Sequence, residues 1–414
     1  MRIAVHDYAG HPGQLQLSRA LARRGHVVRH FYFGGDPGPK GATTRTHDDP
    51  DTFSIEAISI RRPYSKGSLP RRLIQDAEYG RMADRAISAF TPELVVSSNT
   101  PLFAQGAIQA GAEKLGAPFI LWLQDIFSVA VDRMLRTRLF GALCVAAPAF
   151  KRMEAAQLSR SDEIILISDD FKAEIAALGV RRAAFHTIPN WGALADIPLR
   201  PKANDWALAN GLADKFVFLY AGTLGLKHDP ELLLGLADHF AHVPEVRVVV
   251  AASGVSAEWL RERCRGEPRP NLTMLDLQPM SIFPDMLGAA DVVLGLLEKD
   301  AGEFSVPSKV LSYLCAGRPI LLSAPTRNLA ARTVARAAAG VVTEAGERAA
   351  FLDAATDLYA DHDLRTRSAA AGRRYAEIHF DIDTVSRRFE GVFLQALERR
   401  EMSTAARRAP REGR

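Results

Sequence analysis

The chain has 414 residues, 47% of them hydrophobic and 24% charged, with a formal net charge of +4. That length exceeds one ordinary core and predicts two domains, while no apolar run reaches the roughly 18 residues a membrane-crossing helix needs. The excess positive charge is mild and not interleaved with aromatic residues, which argues against a nucleic-acid partner and leaves anionic substrates or an anionic membrane surface.

The opening stretch MRIAVHDYAG lacks an apolar signal core followed by a small-residue cleavage site, so it reads as a buried strand of a cytoplasmic protein. Short β-rich runs then alternate with helical patterns. Strands are predicted at Arg2–His6, Val27–Phe33, Leu94–Ser98, Phe119–Gln124, Glu163–Ser168 and Ala184–Ile188. Helices are predicted at Gln14–Arg24, Pro70–Phe90, Leu102–Leu115 and Ser168–Leu178. This alternation means βαβ units and a parallel sheet. The segment Ile188–Asp205 has three prolines and little periodicity, and reads as an interdomain linker. A second series follows, with strands at Phe216–Tyr220, Val246–Ala251, Leu272–Leu275, Val292–Gly295, Ile320–Ser323 and Gly340–Val342. Three helical stretches from Arg348 to Arg399 close the pattern, and the tail Glu401–Arg414 reads as disordered and basic. The expected division is 1–190, a linker at 191–205, a second domain at 206–380, a final helix at 381–400 and the tail at 401–414.

Ligands of open parallel sheets sit beyond the carboxyl ends of the strands, so loops that follow strands carry the chemistry. After the strand at Phe216 comes Tyr220-Ala-Gly-Thr-Leu-Gly-Leu-Lys-His-Asp-Pro230. Gly222 and Gly225 allow a close backbone approach, Lys227 can meet an anion, and Asp229 and Pro230 start a helix. The bland reading is a capped turn with a solvated lysine. The second loop is Glu303-Phe-Ser-Val-Pro-Ser-Lys309, leading into a helix that carries Ser312 and Tyr313. Pro307 suits the first helical position, so free amides, Ser308 and Lys309 can hold phosphate; the alternative is an ordinary helix start. Two such loops on one sheet favour a diphosphate ligand.

The loop Asp7–Gly13 is glycine-rich but is not GxGxxG, which weighs against an NAD enzyme, and no Walker A sequence occurs. Asp125, at the end of an apolar strand, either stands at the site or caps the following helix. Cys144, Cys264 and Cys315 lie far apart without CxxC spacing, and no HExxH is present, so neither a disulfide nor a metal centre is expected. Asp49-Pro-Asp51 has DxD form but sits in a polar loop and reads as solvated charge.

The stretches IPNW (Ile188–Trp191), LYAGTLGLKHDPELL (Leu219–Leu233) and FSVPSKVLSYLCAGRPI (Phe304–Ile320), with WLQDIF and PYSK…EYG (Pro63–Gly80), resemble the family 4 GT-B glycosyltransferases. The likeness is to their exopolysaccharide branch, of colanic-acid and O-antigen type, and it covers nearly the whole chain. The resemblance implies an α/β fold of two doubly wound, Rossmann-like domains facing across a cleft, with the last helix crossing back to the first domain. It implies a retaining, metal-independent sugar transfer with no cofactor, from a nucleotide-diphosphate sugar to a lipid-linked or other glycan acceptor. On that analogy Lys227 and Lys309 grip the diphosphate, and Gly222, Thr223, Ser305, Val306 and Ser308 line the donor. Gly13 approaches the donor from the first domain, and Asp125 faces the acceptor or the transferred sugar.

One departure stands out. Many members carry two glutamates eight residues apart, and alignment on the Ala316-Gly317-Arg318-Pro319 turn puts Phe304 and Ser312 at those positions, with Glu303 as the nearest carboxylate. Thr223 stands where many relatives have arginine or asparagine. Altered donor contacts are the reading adopted; a non-catalytic partner protein of a polysaccharide assembly complex and a GT-B sugar-nucleotide epimerase are the alternatives. The stretch Arg133–Arg160, apolar in the middle and basic at its flanks, reads either as a surface for anionic lipid or as core with a solvated face.

Overall fold

The computed structural model describes all residues except 36–39, 62, 65–68, 129–146, 182–184, 226–227, 300–307 and 409–414, and leaves out the side chains of 69, 308 and 403–408. The chain forms two compact units: Met1–Asn190 with Ile382–Arg414, and Trp191–Asp381.

Unit 1 is a seven-stranded sheet in the order β3-β2-β1-β4-β5-β6-β7. Its strands are β1 (Arg2–Asp7), β2 (Val27–Phe33), β3 (Phe53–Ile58), β4 (Leu94–Ser98), β5 (Phe119–Leu123), β6 (Glu163–Leu166) and β7 (His186–Thr187), and the pairs run parallel. β4 (LVVSS) and β5 (FILWL) are buried at every position. Such runs need helices on both faces, which is why parallel sheets of this kind are double-wound. The strand β3 is absent from the sequence reading. It is an edge strand, half-buried at Ser54, Ile55 and Glu56, so its apolar signal is diluted.

Unit 1 is completed by the helix Ile382–Arg408. Phe389 meets Trp122 of β5 edge-on at 4.7 Å. Glu390 bonds Arg24 at 2.6 Å and His26 at 2.7 Å, and Arg399 bonds Glu163 at 2.6 Å. This helix continues to Arg408, so disorder does not begin at Glu401 as the sequence suggested. No helix among the described residues is long and apolar enough to cross a membrane.

Unit 2 is a six-stranded sheet in the order β10-β9-β8-β11-β12-β13. The strands are β8 (Phe216–Thr223), β9 (Val246–Ser253), β10 (Leu272–Leu275), β11 (Val292–Leu296), β12 (Ile320–Ser323) and β13 (Gly340–Thr343), again in parallel pairs. The stretch 191–205 is not a free linker but part of this unit. Trp191 and Ile197 are buried. Arg373 donates to the Ile197 carbonyl at 3.2 Å, Arg318 to that of Arg200 at 2.8 Å, and Lys202 pairs with Asp291. Prolines stop regular structure there, but two apolar anchors still give the backbone a place to lie.

Asp49 is likewise not solvated. It is buried, with Oδ1 accepting from Arg19 Nε at 2.8 Å and Oδ2 from the Thr46 amide at 2.9 Å. Its role is to hold the β2–β3 connection, and Asp51 beside it is exposed.

Candidate functional site

In each sheet the chain order reverses at one place, between β1 and β4 in unit 1 and between β8 and β11 in unit 2. These are the switch points at which an open α/β sheet leaves a crevice beyond its carboxyl ends.

In unit 2 the crevice has a visible cause. β8 and β11 pair only at Phe218–Val292 and Leu219–Val293. Beyond that the fully buried Tyr313 inserts its phenol between them: its oxygen accepts from the Ala221 amide and lies 3.2 Å from the carbonyls of Ala221 and Leu294, one of which takes its hydrogen. The backbone polar groups that the parting strands leave unpaired are thereby satisfied.

Lys309, one turn before Tyr313 on the helix Ser308–Ala316, reaches over the end of β8. Its ammonium lies 4.0 Å from the centre of the Tyr220 ring, within bonding reach of the Tyr220 hydroxyl, and 3.3 Å from the Thr223 carbonyl. The Tyr220 hydroxyl donates to that same carbonyl at 2.8 Å. Among the described residues Lys309 makes no ion pair. Burial, with no carboxylate to oppose it, pulls its ammonium down to about 7, although the side chain keeps some exposure. Gly222 has φ +121°, and a Cβ there would lie 3.7 Å from Lys309 Cε, so this glycine supplies a backbone turn that side chains resist. His228 packs its ring against the edge of Tyr220 at 6.3 Å and accepts from the Gly225 amide at 2.9 Å. Asp229 accepts from the Glu231 amide at 3.0 Å, so the helix begins one residue later than read.

The structure therefore brings Gly222, Thr223 and Lys309 together, with half-buried Ser312 one turn along the same helix. Lys227, Glu303, Ser305, Val306 and the side chain of Ser308 lie outside the described residues.

Gly13 and Asp125 stand on unit 1. Gly13 is the second residue of the helix Pro12–Arg23, after β1. The fully buried Asp7 at the end of β1 fixes this turn: it accepts from the His11 amide and, at 2.8 Å, from Asn99 Nδ2, with His11 Nδ1 at 3.5 Å. Burial alone would raise the Asp7 carboxyl, but the bond and charge of His11, the charge of His30 and the Asn99 amide hold it below its usual range. Asn99, at the end of β4, adopts φ +54° to make that contact.

Asp125 is exposed two residues after β5. The amides of Phe127 and Ser128, which an N-cap at Asp125 would bind, go instead to the two oxygens of buried Glu154, at 2.8 and 2.9 Å. These amides are bound by a residue 26 positions beyond Ser128, and Asp125 stands on the carboxyl edge of the sheet. Of the stretch Arg133–Arg160, residues 133–146 lie outside the described residues; in the helix Ala147–Arg160, Ala147 and Phe150 join Leu102 in a buried cluster, so that part is core.

Sequence reading placed Tyr220 and Asp7 at the start of their loops without giving either a role, although Asp7 acts on His11 only four residues on. It missed Asn99 and Glu154, which act across long sequence separations.

Residues 11–191 match the model of a glycosyl transferase 4-like domain. The chain is 25% identical over 326 residues to the putative colanic acid biosynthesis glycosyl transferase WcaI of Escherichia coli (strain K12), covering 73% of this chain and 77% of that protein. The fold is similar to that of HepE from Anabaena in complex with UDP-glucose, at TM-score 0.69 and 15% identity, over 95% of this chain and 100% of that one. It is similar also to WaaG, a glycosyltransferase involved in lipopolysaccharide biosynthesis, at TM-score 0.66 and 15% identity, over 95% and 99%.

Proposed function

We propose that this chain, a GT-B glycosyltransferase of family 4, moves a sugar from a nucleoside-diphosphate sugar to a glycan acceptor carried on a polyprenyl lipid, in the making of an exopolysaccharide or O-antigen. The transfer retains the anomeric configuration, needs no divalent metal, and takes place at the cytoplasmic face of the membrane, with the basic flanks of the stretch 133–160, Arg152 and Arg160 among them, against anionic lipid. The observation that carries this reading is the Lys309 ammonium held over the unit 2 switch point with only neutral partners among the described residues.

The chemistry follows from charge. As the acceptor oxygen bonds to the anomeric carbon, the bond from that carbon to the diphosphate breaks and its electron pair leaves with the phosphate. Fixed cations and amides aimed at that charge are the largest catalytic term available. Lys309, Lys227 and the amides at the start of the helix Ser308–Ala316 fill this role, and the leaving phosphate takes the acceptor's proton. Asp125 of unit 1 is assigned to the acceptor, and Ser312 is the position where ribose contacts would differ from those of relatives.

A thermal-shift panel of UDP-, GDP-, dTDP- and CMP-sugars tests the donor: one of them at a hundred times its Kd should stabilise the fold by about 2.7 kcal/mol. Stabilisation by none of them removes the donor assignment. With the best donor and a polyprenyl-diphosphate-linked sugar, NMR of the product reads the anomer, and activity should persist in EDTA. An inverted product or loss of turnover in EDTA would each overturn its part. Absence of binding to anionic vesicles at low salt would reject the membrane contact. Ser312, in place of a carboxylate, favours one second reading, a non-catalytic assembly partner; donor binding without hydrolysis or transfer would select it.

A further inference from the structure

The surroundings of Lys309 are arranged by one residue. Tyr220 is fully buried, yet its hydroxyl is fully used: the hydrogen goes to the Thr223 carbonyl at 2.8 Å, and the oxygen lone pairs face Lys309 Nζ. Its ring face lies 4.0 Å from the same ammonium. A ring face and two oxygens attract a cation without neutralising it. A lysine so held has lost rotamer freedom and part of its hydration before any ligand arrives, and that advance ordering is what strengthens the later binding step.

We infer that Tyr220 is the positioning residue of the donor seat, its phenol and ring holding the Lys309 ammonium on the Thr223 carbonyl as a preorganised grip for the diphosphate of a nucleotide sugar. The inference rests on the donor reading proposed above. A tyrosine serving only the core would need no cation over its face and no shared carbonyl with it.

The arrangement has a proton signature. Among the described residues, the titratable groups facing Lys309 are Tyr220 on β8, Tyr313 on its own helix, and His228 behind the Tyr220 ring. Burial pushes both phenols far above their usual range, so they stay neutral. None of these groups supplies negative charge, and burial holds the lysine at about 7. A diphosphate diester brings the missing charge and raises the lysine again. Above about pH 7 the free protein holds Lys309 increasingly neutral, so binding takes up a proton and affinity falls as pH rises, by at most about tenfold per unit.

Isothermal titration with UDP-glucose, GDP-mannose and dTDP-glucose, from about pH 6 to about pH 9 in buffers of differing ionisation heat, tests this. The wild type should bind one of them roughly twentyfold more weakly at pH 8.5 than at pH 6.5, with net proton uptake. Lys309→Met should bind weakly with a flat profile. Tyr220→Phe, checked for folding by its melting curve, should bind several-fold more weakly and shift the bend of the profile. Wild-type affinity and an unshifted profile in Tyr220→Phe would overturn the positioning role alone. Binding by the wild type without proton uptake would overturn the grip while leaving the donor reading intact. Binding of no nucleotide sugar at all would remove the donor reading and this inference with it.

Discussion

His6 and His30 are both fully buried in unit 1, His6 with Tyr79 Oη at 2.8 Å and Thr100 Oγ1 at 3.0 Å, His30 with Ser18 Oγ at 2.8 Å. Burial lowers His6 to about 3 and His30 to about 4. In the unfolded chain both would titrate near about 6.5. Between those values the unfolded state binds more protons than the folded one, so stability must fall as pH drops below about 6.5. Each histidine can contribute a slope of at most about 1.4 kcal/mol per pH unit. The urea midpoint of unit 1 should therefore decline from pH 6.5 to pH 4, and His30→Asn should flatten the decline; a flat wild-type profile would contradict it. Gly222 carries a second residue-scale expectation. At φ +121° a side chain is strained even though its Cβ would meet Lys309 only at ordinary contact distance, so Gly222→Ala should cost about 1–3 kcal/mol in the melting of unit 2 and loosen donor binding. An unchanged melting temperature would show that the loop relaxes. The sequence named Gly222 for its permissive backbone, and that reading was local; what it could not contain was the lysine above it, 87 positions on.

Strands were the most legible elements because those buried on both faces write themselves as continuous apolar runs. Leu94–Ser98 and Ile320–Ser323, buried at every position, coincide with predicted bounds. β3 escaped because an edge strand mixes Ser54 and Glu56 into its pattern. The turn after β5 was harder, since its anchor is remote. Sequence offered a cap as one of two readings of Asp125, but Glu154 bonds both amides from another helix. Glu154→Ala leaves two donors in a buried place, and the cost should be about 1–3 kcal/mol of unit 1 stability. Glu154→Gln, which keeps one acceptor, should fall between that and the wild type. If Glu154→Ala melts like the wild type, Asp125 or water has taken over the amides. The candidate site follows the same division. The residues that line it were read from glycine, lysine and proline in two loops, while Tyr313, which opens the crevice, was given no role, because a buried aromatic at helical spacing has no mark of its own.

At the scale of the whole molecule, the chain does not build its units in order. Unit 1 is left unfinished at Asn190 and completed only by Ile382–Arg408. The contact is mixed in character. Phe389 covers Trp122, a residue 1% exposed, while Glu390, Arg399 and Arg400 pair with Arg24, His26, Glu163 and Asp162. The partly exposed pairs add little each, so the apolar contact should dominate. Phe389→Ala would leave a cavity against the tryptophan and should cost about 3–5 kcal/mol. The loss belongs to unit 1 alone, because unit 2 is closed by its own strands and by Trp191 and Ile197. Calorimetry should then show one transition moving down by many degrees while the other holds, and donor binding by unit 2 should survive at temperatures where unit 1 has melted. Two transitions moving together would mean that the units unfold as one, and a small shift would mean that the ion pairs, rather than Phe389, hold the last helix in place.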